Sequence, residues 1–163
     1  MATTEAKVAN CEEIINHRFT NQLLCLEALQ ASGHVLTWKG KFIRVHKNDR
    51  MAVLGDTVAK SNICRLWFST GRSKGQWTQV EQALLGNANL TAVGFRNNLD
   101  RCVILNQGTT AISDKTMATT VEAILGAVFI DGGADVLGAV LLTLELTHQL
   151  LEAVTLNLLP PHI

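Results

Sequence analysis

Two isolated carboxylates are the side chains best suited to chemistry. Glu122 is the one charged residue between Ala118 and Ile130, and Asp56 is the one charged residue between Met51 and Ala59. An ionised carboxylate on a buried helix is costly unless a cation or hydrogen-bond donors meet it. Two helices that present oxygens to one point are a usual way to hold a hard divalent cation such as Mg²⁺.

Local pairing is the alternative to a shared metal site. Lys60 follows Asp56 by four residues, which is the spacing of an ion pair along a helix. Glu122 could instead bond a hydroxyl such as that of Thr119. Spacing alone leaves the metal site and the local pairs equally open.

The helix that must position Asp56 is predicted at residues 49–69. Asn48 is its predicted N-cap, and Asp49 lies in the first turn, where the helix dipole favours a negative charge. Asp49, Ala52 and Asp56 stand at i, i+3 and i+7 and share one face. Gly55 would allow another backbone to come close.

Glu122 lies in a second predicted helix, within residues 116–133. Its apolar length and the stop at Gly132-Gly133 indicate a buried helix that ends near Asp131. The run is too short and too interrupted to span a bilayer, so no membrane association is expected.

The rest of the chain predicts an all-α domain with one small hairpin. Thr20 is the predicted N-cap of the second helix and Ser32-Gly33 its stop, while Trp38 is a packing anchor or a surface for stacking a base. The helical periodicities predict further helices at 6–17, 20–32, 76–86, 88–97 and 134–157, a hairpin around Lys39-Gly40, and a short extended piece at 102–105.

Composition predicts one globular domain over residues 1–163. The chain is 47% hydrophobic and 17% charged, which excludes a disordered protein. The N-terminus resembles neither a secretory signal nor an Arg-rich transit peptide, so an intracellular protein is expected. The sequence does not indicate an organelle. The four cysteines have no metal-ligand spacing and are expected to be buried thiols.

Positive charge is concentrated in residues 39–74 of the chain. Residues 39–74 contain nine Lys or Arg against Asp49 and Asp56, whereas residues 116–163 contain five acidic residues and no Lys or Arg. This asymmetry predicts a basic surface for phosphates, with a solvated charged loop as the alternative. The predicted RNA-binding residues are Lys39, Lys41, Arg44, Lys47, Arg50, Arg72 and Lys74, and the basic loop at 33–47 precedes the Asp56 helix.

Three blocks resemble the nuclease domain of the ribonuclease III family. Asp49-Arg-Met-Ala-Val-Leu-Gly-Asp56-Thr is similar to its signature helix, and the stretch from Ala118 to Gly133 is similar to its second catalytic segment. Between them, the stretch from Gln82 to Phe95 resembles the family's middle helices. The blocks agree in order and separation, and the resemblance covers residues from about 12 to 157.

The resemblance implies an all-helical homodimer that cuts double-stranded RNA. It implies Mg²⁺ as cofactor, with Mn²⁺ as a substitute, and products with 5′-phosphate and 3′-hydroxyl ends. Asp56 and Glu122 match catalytic acids that hold the metal, and Asp49 matches a further acidic position. Thr119 and Ala52 stand where the family has an aspartate and a glutamate, and Thr119 retains a hydroxyl oxygen for the metal.

These departures from the family pattern imply an alternative function and a changed dimer interface. With two of four acids replaced, the chain could be a catalytically inactive module for RNA binding or ribonucleoprotein assembly. Val53 replaces the phenylalanine that inserts into the partner subunit, and with Met51 and Phe129 it marks the predicted dimer interface. No separate double-stranded-RNA-binding domain is recognised in the chain.

Overall fold

Helix α6 (Asp114–Thr143) forms the centre of the fold. The computed structural model describes residues 1–152. Around α6 lie α2, α3 and α5, while α1 packs on α2 and on a short 3-10 helix. The other elements are α1 (Thr4–Ile15), α2 (Gln22–Leu29), β1 (Leu36–Trp38), β2 (Lys41–Ile43), α3 (Asp49–Ser69), α4 (Lys74–Leu85), α5 (Asn87–Arg96), and 3-10 helices at Leu99–Cys102 and Gln149–Leu151. The predicted all-α fold is confirmed.

The first half of α6 is a core helix. From Met117 to Val128, all residues except Thr119 and Glu122 are buried. By length and composition alone, α6 is apolar enough to cross a membrane. In the fold, however, its apolar sides meet the surrounding helices, and Gly133 interrupts it with a positive φ of 83°. The predicted break at this glycine is confirmed.

Helices α3 and α6 touch backbone to backbone. A Cβ placed on Gly55 would lie 1.7 Å from the carbonyl oxygen of Glu122, and one placed on Gly126 would lie 2.5 Å from that of Met51. Because any side chain would occupy the space of the other backbone, only glycine fits at these positions. The predicted close approach at Gly55 is confirmed.

Asn48 occupies the predicted N-cap position of α3, and its carbonyl oxygen accepts from the N–H of Ala52 at 2.9 Å, but its side chain makes no capping hydrogen bond. Its backbone is helical (φ −73°, ψ −1°), whereas a capping side chain needs an extended backbone. The buried Asn48 amide instead donates to the carbonyl oxygen of Ala28 at 3.0 Å and to Oγ1 of Thr120 at 3.3 Å. Asn48 therefore joins α2, α3 and α6.

Helix α2 is shorter than predicted at both ends. Asn21, not Thr20, is its cap, because the Asn21 side chain accepts from the backbone N–H of Leu23. The backbone N–H of Thr20 donates instead to the carboxylate of Asp131 at 3.0 Å. The helix ends before Gln30, which is extended and forms a β-bridge with Ile104 in the predicted extended piece.

The predicted helix at 134–157 is wrong beyond Thr143. Glu145 adopts a left-handed conformation (φ 58°). Its N–H donates to the carbonyl of Leu142 at 2.9 Å, and the N–H of Leu146 donates to that of Leu141 at 2.9 Å. These two bonds form a Schellman ending, which stops the helix although no glycine is present. Residues 153–157 of the predicted helix lie outside the described residues.

Several local predictions are confirmed. Helix α3 has the predicted bounds, and the hairpin turns at Lys39 and Gly40, both with positive φ as a two-residue hairpin turn requires. Trp38 is buried, as a packing anchor should be. All four cysteines are free thiols: Cys11, Cys25 and Cys102 are buried, and Cys64 is half-buried.

Replacing Gly55 by alanine tests the helix crossing. Gly55→Ala should lower the free energy of unfolding by about 2 kcal/mol or more, because the added methyl overlaps the Glu122 backbone. Gly75→Ala is the matched control, since the nearest atom to its Cβ is 3.9 Å away. That change should be neutral or stabilise by about 0.5–1 kcal/mol. Equal urea midpoints for Gly55→Ala and the wild-type protein would contradict the contact.

Candidate active site

The crossing of α3 and α6 brings Asp56 and Glu122 together. Asp56 directly follows Gly55, and the backbone of Glu122 lies against that glycine. Glu122 is half-buried, and the Asp56 side chain is 41% exposed. Burial first, and the negative charge of Asp56 second, raise the pKa of Glu122 to about 7. The two carboxylates therefore repel each other across the helix contact.

Glu122 has no hydrogen-bond donor within residues 1–152. Burial and the charge of Asp56 account for its raised pKa, and no donor opposes them. The alternative bond from the Thr119 hydroxyl is not formed. A half-buried carboxylate beside another carboxylate is an arrangement that a bound cation would relieve.

Lys60 is shared between two carboxylates on neighbouring helices. Its Nζ lies 3.0 Å from Oε1 of Glu81 on α4 and 3.9 Å from Oδ2 of Asp56. The hydrogen bond to Glu81, and then the charge of Asp56, raise the pKa of Lys60. The predicted pair of Asp56 with Lys60 thus exists, but its distance is close to the upper limit for an ion pair. Because both side chains are partly exposed to water, the pair is weak. The spacing of residues in the sequence did not indicate Glu81 as a partner of Lys60.

The other predicted metal ligands lie around this pair without closing a cage. Asp49 is exposed, and its carboxylate accepts from the backbone N–H of Arg50 at 2.9 Å. It precedes Asp56 by two helical turns, about 10 Å along the axis. Thr119 is half-buried, one turn before Glu122, and Ala52 is 4% exposed. Within residues 1–152, no three His, Cys, Asp or Glu side chains gather as a metal-binding group.

The pair nevertheless fits Mg²⁺ chemically. Mg²⁺ keeps several waters and is commonly held by one or two carboxylates together with substrate phosphates. Asp56 and Glu122 supply two carboxylates whose mutual repulsion a dication would remove. The donor set is therefore adequate for an ion completed by water and substrate.

The predicted RNA-binding side chains are all at the surface. They lie in the hairpin, in the segment between the hairpin and α3, at the start of α3, in the loop before α4 and at the first residue of α4. These exposed residues are Lys39, Lys41, Arg44, Lys47, Arg50, Arg72 and Lys74. Lys39 places its Nζ 5.4 Å from the centre of the Trp38 ring. An RNA-binding role for these residues stays a prediction.

The predicted dimer residues differ in accessibility. Val53 is 70% exposed, Phe129 is half-buried, and Met51 is only 6% exposed because it packs within the core. Little of the Met51 side chain is thus available to a partner, whereas Val53 offers most of its surface.

A cavity of about 620 Å³ lies elsewhere, between the second half of α3 and the part of α6 after Gly133. Its lining is mainly apolar, and neither Asp56 nor Glu122 contributes to it. The carboxylate pair lies instead where the two helix backbones meet.

Comparison with known proteins identifies the family. Residues 21–148 match the family model described as Ribonuclease-III-like. The chain belongs to the ribonuclease-III-like family. It is 27% identical to Ribonuclease 3 of Rhodopirellula baltica, over 83% of this chain and 50% of that protein. It is 30% identical to Ribonuclease 3 of Syntrophotalea carbinolica, over 88% of this chain and 64% of that protein.

A solved structure shares the fold of this ribonuclease-III-like chain. The nuclease domain of ribonuclease III from Campylobacter jejuni superposes with a TM-score of 0.72 at 17% identity, covering 84% of this chain and 94% of that one. A region of that protein is involved in dimer formation. The present chain spans about half to two thirds of the length of the relatives named above.

Removing the charge of Asp56 should change the titration of Glu122. In Asp56→Asn the pKa of Glu122 should fall below about 7, because the negative charge of Asp56 is gone. It should stay above its ordinary value, because Glu122 is still half-buried. NMR titration of the Glu122 carboxyl carbon measures the change. Asp49→Asn is the control and should leave the midpoint in place. An unchanged midpoint in Asp56→Asn would show that the two carboxylates are not neighbours.

The same pair makes stability depend on pH. The folded-state pKa of Glu122 lies above the ordinary value of 4.5, so its contribution is fully present below 4.5 and is lost as pH rises through about 7. With a chelator present, the urea midpoint should be lower at about pH 8 than at about pH 5.5. Glu122→Gln should reduce this difference in urea midpoint. If the difference in Glu122→Gln equals that of the wild-type protein, other groups cause it.

Proposed function

We propose that the chain is a metal-dependent endoribonuclease that cuts double-stranded RNA and leaves 5′-phosphate and 3′-hydroxyl ends. The observation that carries the proposal is the convergence of Asp56 and Glu122 at the α3–α6 crossing, in a chain of the ribonuclease-III-like family. The relatives named Ribonuclease 3 support this activity.

The carboxylate pair would hold the ion. When bound, Mg²⁺ or Mn²⁺ would lower the pKa of a coordinated water and stabilise the departing 3′ oxygen. Glu122 takes up a proton near neutral pH in the free protein, and a dication would favour its charged form. The Thr119 hydroxyl and the more distant Asp49 carboxylate would support the coordinated waters rather than replace the pair.

The exposed basic residues would bind the RNA backbone. A-form duplexes are recognised mainly through shape, phosphates and 2′-hydroxyls, which calls for dispersed cations rather than base-reading side chains. The hairpin cations and Arg50 lie on segments that lead into or begin α3, the helix that carries Asp56. Such cations could therefore guide a duplex toward the carboxylates.

A second copy of the chain would complete the RNA-binding surface. Val53 is 70% exposed on α3, three residues before Asp56. By resemblance to the family, Val53 takes the place of the residue that inserts into the partner subunit, and its exposed side chain is available for that contact. We infer a homodimer in which Val53 and Phe129 meet the partner.

A catalytically inactive module for RNA binding or ribonucleoprotein assembly is the second candidate. The observation that favours it is the absence of a third acid beside Asp56 and Glu122 within residues 1–152. Ala52 and Thr119 supply no charge to a metal. The fold and its basic surface would then serve binding alone.

A cleavage assay decides between the two candidates. Long duplex RNA should be cut by the wild-type protein across a series of Mg²⁺ and Mn²⁺ concentrations. Glu122→Gln should slow cutting by about 100-fold or more, because electrostatic stabilisation at the reacting phosphate is lost. Glu13→Gln, an exposed glutamate on α1, is the matched control and should cut normally. No cleavage at any metal concentration would reject the enzyme.

Restoring acids at the two altered positions provides the converse test. Ala52→Glu combined with Thr119→Asp should lower the Mg²⁺ concentration needed for cutting, because added carboxylates strengthen the site for a hard cation. Cleavage by this variant but not by the wild-type protein would establish the inactive module. A wild-type protein already at the full rate would refute that alternative.

A further inference from the structure

A large aromatic ring is exposed at the C-terminal end of α3. Phe68 exposes 78% of its surface, and unlike its neighbours Trp67 and Trp77 it does not pack against the hydrophobic core. The Phe68 and Trp67 rings meet edge to face with centroids 6.4 Å apart, and those of Trp67 and Trp77 are 5.6 Å apart. Trp67 is further fixed by donating from Nε1 to the carbonyl of Ser73 at 3.2 Å. Phe68 is thus held by a fixed neighbour while most of its ring meets solvent.

Basic residues flank this ring in the sequence, and no acidic residue lies among them. No acidic residue occurs between Asp56 and Glu81, where Lys60, Arg65, Arg72 and Lys74 lie. The last three are exposed, and within residues 1–152 none of them forms an ion pair.

Helical spacing places two of these cations beside the aromatic rings. Arg65 precedes Phe68 by three residues on α3, and Lys74 precedes Trp77 by three on α4, so each pair shares a helix face. Arg72 is held in the intervening loop, where its Nε donates to the carbonyl of Leu150 at 3.0 Å. The side chains of Arg65, Trp67, Phe68, Arg72, Lys74 and Trp77 together are called the aromatic patch below.

We propose that the aromatic patch binds a single-stranded segment of RNA, with a base stacked on Phe68 and phosphates near Arg65, Arg72 and Lys74. Stacking needs an unpaired base, because the bases of a duplex are already stacked on one another. Sites for single strands combine a cationic surface with aromatic rings for this reason. An exposed phenyl ring would add nothing to binding a duplex through its phosphates.

The charge distribution favours RNA over a protein partner. Exposed aromatic residues with arginine also occur at protein interfaces. Arg65, Arg72 and Lys74, however, are three exposed cations without an ion pair within residues 1–152, in a stretch that contains no acid between Asp56 and Glu81. Such a surface complements a polyanion. RNA supplies both the repeated charge and the flat rings.

The aromatic patch is distinct from the carboxylate pair. Phe68 follows Asp56 by twelve residues on the same uninterrupted helix, a separation of about 18 Å at 1.5 Å per residue. Binding at the patch requires no hydrolysis. Its test therefore stands apart from the test of cleavage, and either proposal can fail while the other holds.

Binding of short RNAs to the full chain tests the proposal. Fluorescence anisotropy would measure a labelled single-stranded oligonucleotide and a duplex of the same sequence, both with a chelator present so that neither is cut. Phe68→Leu keeps an apolar side chain but removes the ring, and should weaken single-strand binding by about tenfold. Its duplex affinity should stay within about twofold of the wild type, since phosphate contacts dominate there.

Phe95→Leu is the matched control. Phe95 is 39% exposed on α5, and this variant should bind both RNAs like the wild-type protein. Arg72→Gln should lower the slope of log affinity against log salt by about 1, as loss of one phosphate contact does. Thermal unfolding of each variant checks that the fold is kept.

Three outcomes would overturn the proposal. The first is no binding of the single strand by the wild-type protein, and the second is equal binding by Phe68→Leu. The third is equal displacement of the RNA by poly-glutamate at matched charge, which would show that the surface recognises an anionic chain, as of an acidic protein, without reading bases. Selective loss of single-strand affinity in Phe68→Leu, with poor competition by poly-glutamate, supports the proposal.

Discussion

The backbone contact between α3 and α6 determines the geometry of the candidate site. Gly55 and Gly126 leave no room for a side chain, so the two helices approach until each backbone meets the other. Asp56 follows one of these glycines, and Glu122 contributes the opposing carbonyl oxygen. The polar contacts of Asn48 with Ala28 and Thr120 hold the start of α3 against α2 and α6. The separation of the carboxylates is therefore built into the core.

This geometry places two like charges side by side at a half-buried position. Burial and the charge of Asp56 together hold the pKa of Glu122 near 7, and within residues 1–152 no donor compensates. Lys60 does not resolve the conflict, because Glu81 holds its ammonium group more closely than Asp56 does. Such a conflict between two half-buried carboxylates is typical of a functional site. In the described part of the chain, all buried side-chain nitrogen and oxygen atoms have hydrogen-bond partners.

Helix α3 links two surfaces of different chemistry. Its first half carries Asp56 beside the crossing, and its last turn carries Phe68 beyond the core. One uninterrupted helix keeps such surfaces at a constant separation, so a ligand that contacts both would meet them at a fixed spacing. Lys and Arg residues occur in both halves of α3, whereas residues 116–163 contain no Lys or Arg. Phosphate recognition would thus follow the α3 side of the domain.

The amino-acid sequence by itself determined the features that depend on local spacing. The bounds of α3, the hairpin turn at Lys39-Gly40 and the break at Gly133 follow from periodicity and backbone conformational preference, which act over a few residues. The isolation of Asp56 and Glu122 among apolar residues was visible in the same way, and so was the close approach at Gly55.

Only the tertiary structure decided which partner each polar group takes. The Asn48 side chain serves a three-helix junction instead of capping α3, because Ala28 and Thr120 reach it from elements remote in sequence. Lys60 turns to Glu81 on α4, a competitor that spacing along α3 cannot reveal. Helix α6 stops at Thr143 through backbone bonds around a left-handed Glu145, although no glycine marks that position. For Asn48 and Lys60 the deciding contact joins elements that are remote in sequence and forms only on packing. For α6 the bonds are local, but a left-handed glutamate carries no sequence signal such as a glycine would give.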